Sequence, residues 1–208
     1  MKRELMHFQI GDSYGGNQDW FPTFMMRVGG CGAETACDSS IYFALHRGLH
    51  GIAPENASAL TKEDYVRFAY EMKPYLSPRM SGIDRLDIYL DGYAAFLKDH
   101  GETRLQMTEF PGTEEVLKAK EAVIRQIDGG FPVPMLVLNH KNKDYEDYVW
   151  HWFLLNGYDD SEGSFLVKAV TYSRYRWLDF ETLWDTGHER RGGLVLYHLR
   201  EDRPGKQL

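Results

Sequence analysis

The sequence predicts an α+β protein in which a helical N-terminal half packs against an antiparallel sheet formed by the C-terminal half. Two observations support this prediction. Apolar residues recur every three to four positions in the first half, as in amphipathic helices, whereas the apolar runs after residue 131 are short and strand-like. Strands that follow helices, instead of alternating with them, favour the α+β class.

The apolar periodicity predicts four helices, over residues 33–45, 62–75, 82–100 and 114–128. Gly48, Gly101 and Gly129 follow the first, third and fourth of these segments and are typical helix ends. The second helix follows Thr61, where T-K-E-D resembles a capping box, and the third follows Ser81.

Strands are predicted over residues 132–139, 149–158, 165–170, 175–178 and 194–199, with a short helix over residues 180–184. The segment 149–158 is apolar on both faces, so we expect it to be a central strand. It should pair with the next strand as a hairpin through a turn at residues 159–163. No linker, repeat or low-complexity stretch interrupts the 208 residues, which predicts a single domain over residues 1–208.

Composition excludes several classes of function. The net charge is −7 and no basic stripe is present, which argues against nucleic-acid binding. No apolar run reaches the ~18 residues of a membrane helix, and the N-terminus lacks the apolar core of a secretion signal. Two cysteines do not make a disulfide framework, so we expect a cytoplasmic protein without membrane association.

The two cysteines receive opposite interpretations. Cys37 lies within the apolar stripe of the first helix and is interpreted as a buried structural residue. Cys31 follows Gly29-Gly30 at the helix start, about 140° from the centre of that stripe. Unpaired N–H groups and the helix dipole stabilise a thiolate there and lower thiol pKa values to ~3.5–7.5. Cys31 is therefore the candidate nucleophile.

His151 is the candidate base for this nucleophile. It lies within V-W-H-W-F-L-L-N-G-Y, where a polar ring needs a hydrogen-bond partner and is suited to general-base chemistry. The alternative interpretation is a core histidine that only satisfies its hydrogen bonds. Solvent exposure accounts for four other histidines near termini, turns or charged neighbours, namely His7, His100, His188 and His198.

These two segments resemble a known family. G-G-C-G-A at a helix start, followed 120 residues later by H-W-F-L-L-N-G-Y-D-D, resembles the papain-like cysteine peptidases, and most of all the bacteriocin-processing, double-glycine branch. The resemblance implies a cleft between the helical lobe and the sheet, with Cys31 as nucleophile and His151 as its partner. It also implies an oxyanion-stabilising glutamine, for which Gln18 is the candidate.

The third residue of the family's catalytic group departs from the pattern. The resemblance implies an Asp or Asn on the strand after the histidine, but Thr171 stands at that position. Asp179 and Asp185 are later alternatives. A hydroxyl orients an imidazole less firmly than a carboxylate does.

Three functions remain open from the sequence. The first is hydrolysis of a peptide or small amide by a Cys–His pair. The second is a papain-like domain that binds a peptide or small ligand without turnover, and the third is acyl transfer by the same pair. We expect no cofactor and no metal, because the Cys-x5-Cys spacing does not fit the close cysteine pairs of zinc sites. The sequence carries no indication of an oligomeric state.

Overall fold

One seven-stranded antiparallel sheet and six helices dominate the computed structural model, which describes residues 1–79, 82–161 and 163–200. The helices are α1 (Phe24–Gly29), α2 (Cys31–Arg47), α3 (Lys62–Met72), α4 (Leu86–Asp99), α5 (Val116–Asp128) and α6 (Phe180–Trp184). The strands are β1 (Lys2–Glu4), β2 (Gln9–Ile10), β3 (Ser13–Tyr14), β4 (Leu105–Pro111), β5 (Val133–Val137), β6 (His151–Asp159), β7 (Leu166–Thr171), β8 (Arg174–Asp179) and β9 (Gly193–Leu199).

The α+β prediction is confirmed, as are the four long helices, the five strands and the short helix α6. Thr61 caps α3 in a capping box with Asp64, and Gly48 ends α2 in a left-handed conformation. The sequence analysis missed β1, the β2–β3 hairpin, α1 and β4. Ser81, part of the predicted 159–163 turn (Glu162) and residues 201–208 of the predicted domain lie outside the described residues.

β6 is the central strand of the sheet, as predicted from its apolar faces. The strand order is β4-β9-β5-β6-β7-β8, and β1 adds to the second half of β6 where β5 no longer pairs. One hydrophobic core extends from Leu5 to Tyr197 and includes both helices and sheet. At its centre the Trp152 ring of β6 stacks on Tyr89 of α4, with ring centroids 4.3 Å apart.

α2 is buried on all sides, which differs from the single buried stripe that the sequence predicts. Every residue from Cys31 to Ala44 is buried, and the helix packs against β6 and α3. Small residues along α2 permit this close packing, while its acidic residues Glu34 and Asp38 are buried with polar partners. Periodicity identifies the most apolar face of a helix but not whether other elements cover the remaining faces.

Among the described helices, none combines the length and the apolar character that a bilayer-spanning segment requires.

Candidate active site

Cys31 is the first residue of α2. Gly30 precedes it at the helix N-cap, and a side chain at Gly30 would collide with the Met26 carbonyl oxygen, since a Cβ there would lie 2.3 Å away. Three backbone N–H groups, those of Trp152, Gly32 and Cys31, lie close enough to the Cys31 sulfur to lower the pKa of its thiol. The nearness of Trp152 places the sulfur close to the start of β6, the strand that begins at His151.

The protonation state of Cys31 differs from the expectation for a helix N-terminus. Burial raises the pKa of the Cys31 thiol to about 11, and the nearby Glu34 carboxylate adds to this effect, although the three backbone N–H groups oppose it. Only 4% of the residue is exposed. The predicted lowering of the pKa is therefore wrong for the free protein, because desolvation outweighs the helix N-terminus. Cys37 is fully buried and its pKa is also raised, in agreement with a structural role.

His151 opens β6 in a position fixed by its neighbours. It pairs with Val137 of β5, and the preceding Trp150 adopts a positive φ of 51° while its N–H donates to the Leu138 carbonyl at 2.8 Å. The His151 ring stacks on Tyr172 at a centroid distance of 4.8 Å and an interplanar angle of 6°. Only 3% of His151 is exposed, and this burial lowers the pKa of its imidazole to about 3.

Thr171, which stands where the resemblance implies an Asp or Asn, contacts His151. Its Oγ1 is 2.7 Å from Nε2 of His151, and the threonine is the last residue of β7. The two alternatives are engaged elsewhere. Asp179 caps α6 by accepting from the Thr182 N–H at 2.8 Å, and Asp185 forms an ion pair with Arg191 at 3.0 Å.

Gln18 is buried near α2, but its side chain is oriented toward Arg27. Nε2 of Gln18 donates to the Arg27 carbonyl oxygen at 2.8 Å, and Oε1 has no hydrogen-bond partner among the described residues. The backbone N–H of Gln18 donates to Oε2 of Glu34 at 3.1 Å. Because an amide nitrogen carries two hydrogens, one N–H of Gln18 is left for an oxyanion.

Cys31 and His151 open α2 and β6, which pack against each other, and both residues are buried rather than displayed on the wall of an open cleft. Ile83 covers this region. A Cβ on Gly32 would lie 2.9 Å from Cδ1 of Ile83, and the carbonyl oxygen of Ile83 accepts the Trp152 indole N–H at 2.6 Å. The predicted open cleft is therefore closed at Cys31 and His151.

An open cavity of about 390 Å³ is lined in part by two residues that contact Trp150, the residue before His151. Its lining includes Leu138, whose carbonyl binds the Trp150 N–H, and Arg190, whose guanidinium lies 5.6 Å from the centre of the Trp150 ring. Trp150 is 45% exposed, while Trp152 on the other side of His151 is buried. A cavity of this size suits a small ligand or one peptide side chain.

Sequence reasoning missed two residues that contact the site, Glu34 and Tyr172. Glu34 lies one helical turn after Cys31, a spacing that places the two side chains on the same side of α2 and was available in the sequence. The contact of Tyr172 with His151 depends on the turn that follows β7, for which no sequence pattern was recognised. His7, which we expected to be exposed, is instead buried with Nε2 3.6 Å from the Asp38 carboxylate.

Comparison of the sequence with models of known protein families and with curated proteins finds no match. Any assignment of function therefore depends on the geometry of the site.

Proposed function

We propose that this protein is a cysteine-nucleophile hydrolase of the papain-like type, acting on a peptide or small amide through Cys31 and His151. One observation carries the proposal. The backbone N–H of Trp152, the residue next to His151, lies near the Cys31 sulfur, and Nε2 of His151 is 2.7 Å from the Thr171 hydroxyl. The candidate nucleophile, base and orienting group thus come from α2, β6 and β7 and lie in one region of the molecule, which supports the proposal.

The reaction follows from these groups. With Nε2 protonated and donating to Thr171, Nδ1 of His151 is free to take the Cys31 proton as sulfur bonds to the substrate carbonyl carbon. The carbonyl electrons move to the oxygen, where helix N-terminal N–H groups and the second N–H of Gln18 are candidate donors. When the C–N bond breaks, His151 returns the proton to the leaving amine. Water activated by His151 then hydrolyses the thioester.

The free pair rests as a neutral thiol and a neutral imidazole, because burial raises the pKa of Cys31 and lowers that of His151. Proton transfer must therefore accompany attack on the carbonyl carbon instead of preceding it. This resting state, together with a hydroxyl in place of a carboxylate beside His151, favours slow turnover.

Burial of the pair also favours a second candidate function, acyl transfer. A site that excludes water slows hydrolysis of the thioester and gives a bound amine time to attack. Turnover in the presence of methylamine separates the two reactions, because transfer yields the N-methylamide whereas hydrolysis yields the free acid.

The direct test measures the release of aminomethylcoumarin from a panel of short peptide amides. We expect Cys31→Ala to abolish release and His151→Gln to slow it by roughly 100-fold or more. Cys37→Ala is the matched control, because that thiol is fully buried and the proposed reaction does not use it, so its loss should leave turnover in place. Release that survives in Cys31→Ala would contradict the proposal. Peptide binding without release in the wild-type protein would indicate a binding domain instead.

A further inference from the structure

Glu34 is a buried acidic residue that the proposed reaction does not use. It lies one turn after Cys31 on α2, and only 3% of it is exposed. Burial raises the pKa of its carboxyl group well above the usual value, and the charge of Asp38 one turn further on adds to the effect. Burying a carboxyl group is costly, so its partners indicate what it contributes.

Those partners belong to the two segments that hold the site. The backbone N–H of Gln18 donates to Oε2 of Glu34 at 3.1 Å, and the backbone N–H of Tyr172 lies near the same carboxyl group and lowers its pKa. Glu34 therefore connects the candidate oxyanion donor with the turn that follows Thr171. The two segments are also joined directly, because the Ser173 N–H donates to the Gly16 carbonyl oxygen at 2.9 Å, and Glu34 adds a contact from α2 to each of them.

The turn that Glu34 holds is strained. Tyr172 and Ser173 have φ values of 50° and 60°, in the left-handed region that disfavours residues with side chains. The Tyr172 ring stacks on the His151 imidazole, and Thr171 immediately before it contacts Nε2. A shift of this turn would therefore move both groups that orient His151.

We propose that Glu34 is a positioning residue, which aligns His151 and Gln18 for attack on a carbonyl by holding the backbone of Tyr172 and of Gln18. This inference rests on the proposed function. Glu34 does not serve the nucleophile directly, because charge on its carboxyl group raises the pKa of the Cys31 thiol and so disfavours the thiolate. Glu34 therefore opposes thiolate formation but supports the alignment of His151 and Gln18. Its role can be measured by comparing a reaction that needs only the thiolate with one that also needs the alignment.

The test compares two reactions of the same sulfur. Alkylation by iodoacetamide requires only the thiolate, whereas acetylation by p-nitrophenyl acetate also requires an aligned base and oxyanion donors. For Glu34→Ala at pH 8 we expect alkylation of Cys31 to be unchanged or several-fold faster, since the substitution removes no group that favours the thiolate. We expect acetylation to be slower by about tenfold or more, because a small displacement of the groups that align a reaction lowers its rate by at least that factor. Peptide mass spectrometry assigns both modifications to Cys31.

Glu34→Gln separates charge from hydrogen bonding, because it removes the charge but keeps one accepting oxygen. We expect its acetylation rate to lie between those of the wild type and Glu34→Ala. Ser40→Ala is the stability control. Ser40 lies on α2, as Glu34 does, and the substitution removes its buried hydrogen bond to Tyr93 of α4, away from the site. It should leave the ratio of the two rates unchanged.

Each outcome supports or overturns the inference. If both rates fall together in the Glu34 variants, the residue only stabilises the fold and the inference is wrong. If Glu34→Ala fails to fold by circular dichroism, an unchanged ratio of rates in Glu34→Gln overturns it. If the wild-type Cys31 is not acetylated at all, the proposed function itself fails. A wild-type protein and a Glu34→Ala variant that are acetylated equally fast contradict only the role of Glu34.

Discussion

Thr171 contacts His151 through a hydroxyl group, whereas the proposed papain-like reaction calls for an amide or a carboxylate at this place. The contact is short, 2.7 Å from Oγ1 to Nε2, and both side chains are buried. A neutral hydroxyl fixes the orientation of the ring but stabilises a developing imidazolium less than a carboxylate does. At the scale of single residues, the site is thus organised for alignment more than for charge stabilisation.

Replacing Thr171 tests this contact. Thr171→Val keeps the shape of the side chain but leaves Nε2 of His151 buried without a partner. We expect the free energy of unfolding to fall by about 1–3 kcal/mol, the typical cost of such a group. Acetylation of Cys31 should slow at the same time.

Thr171→Ser is the control for that prediction, because it retains the hydroxyl and should preserve most of both properties. Urea denaturation and the acetylation rate provide the two measurements. A valine variant that matches the wild type in both would show that the contact contributes nothing.

The sequence predicted which single residues to examine, but not their environment. Cys31 stood out by its place at a helix start, and His151 by its apolar neighbours. The protonation state of Cys31 was predicted wrongly, because the helix N-terminus is visible in sequence whereas burial under Ile83 is not. The role of Glu34 depends on two segments that only the folded chain brings together.

At the scale of elements, the turn of the β7–β8 hairpin has residues whose side chains disfavour the backbone conformation that the turn requires. Thr171 pairs with Arg174, which leaves Tyr172 and Ser173 as a two-residue turn with positive φ at both positions. Such turns favour Asn-Gly, in which neither residue opposes the left-handed conformation. Strain of this kind is found at functional sites, and here it accompanies the stacking of Tyr172 on His151.

Relief of this strain should stabilise the protein. Ser173→Gly removes the side-chain cost at a φ of 60°, and the Ser173 hydroxyl has no hydrogen-bond partner among the described residues. We expect a gain of about 1 kcal/mol in the free energy of unfolding and a rise in Tm of roughly 2–4 °C.

Ser58→Gly is the matched control for the turn, since Ser58 is exposed in a 3₁₀ segment and does not have a positive φ. It should be neutral or destabilising in the same thermal scan. A loss of stability in Ser173→Gly would contradict the strain argument.

The elements that the sequence predicted are those with a strong repeating pattern. The helices α2 to α5 have apolar residues at helical spacing, and β6 has an uninterrupted apolar run. The missed elements have weaker patterns. β1 is exposed along its three residues, and β4 alternates little between buried and exposed positions because it lies at the sheet edge.

At the scale of the whole molecule, folding buries an uncharged imidazole. The unfolded chain protonates His151 below pH ~6.5, the ordinary histidine value, whereas its pKa in the folded protein is about 3. The stabilisation from this difference is fully present above pH ~6.5 and is lost as the pH falls toward 3. The pKa of Glu34 is raised in the folded protein, so its contribution to the free energy of unfolding falls as the pH rises.

This difference predicts how stability depends on pH. Between pH 7 and pH 5, the loss of unfolding free energy should be about 2 kcal/mol larger in the wild type than in His151→Gln, which cannot titrate there. Urea denaturation at the two pH values measures both losses. His50→Gln, which removes an exposed imidazole, is the control for the substitution itself. Equal losses in the wild type and His151→Gln would show that His151 is not buried uncharged.

The arrangement of the whole molecule was predictable in class but not in the detail that governs reactivity. The order of helices and strands established α+β and placed Cys31 and His151 in different halves. The sequence did not indicate that α2 would be buried on all sides, nor that the junction with β6 would be closed. Both depend on contacts from Ile83 and from the Gln18 segment, which have no repeating pattern.

The most direct test of the central claim is the acetylation of the wild-type protein and of His151→Gln by p-nitrophenyl acetate, followed by mass spectrometry at pH 8. The claim is that Cys31 and His151 act together on one carbonyl. It predicts one acetyl group per chain, on Cys31, added at least ~100-fold faster in the wild type than in His151→Gln. Acetylation at other residues, or equal rates in the two proteins, would contradict the claim.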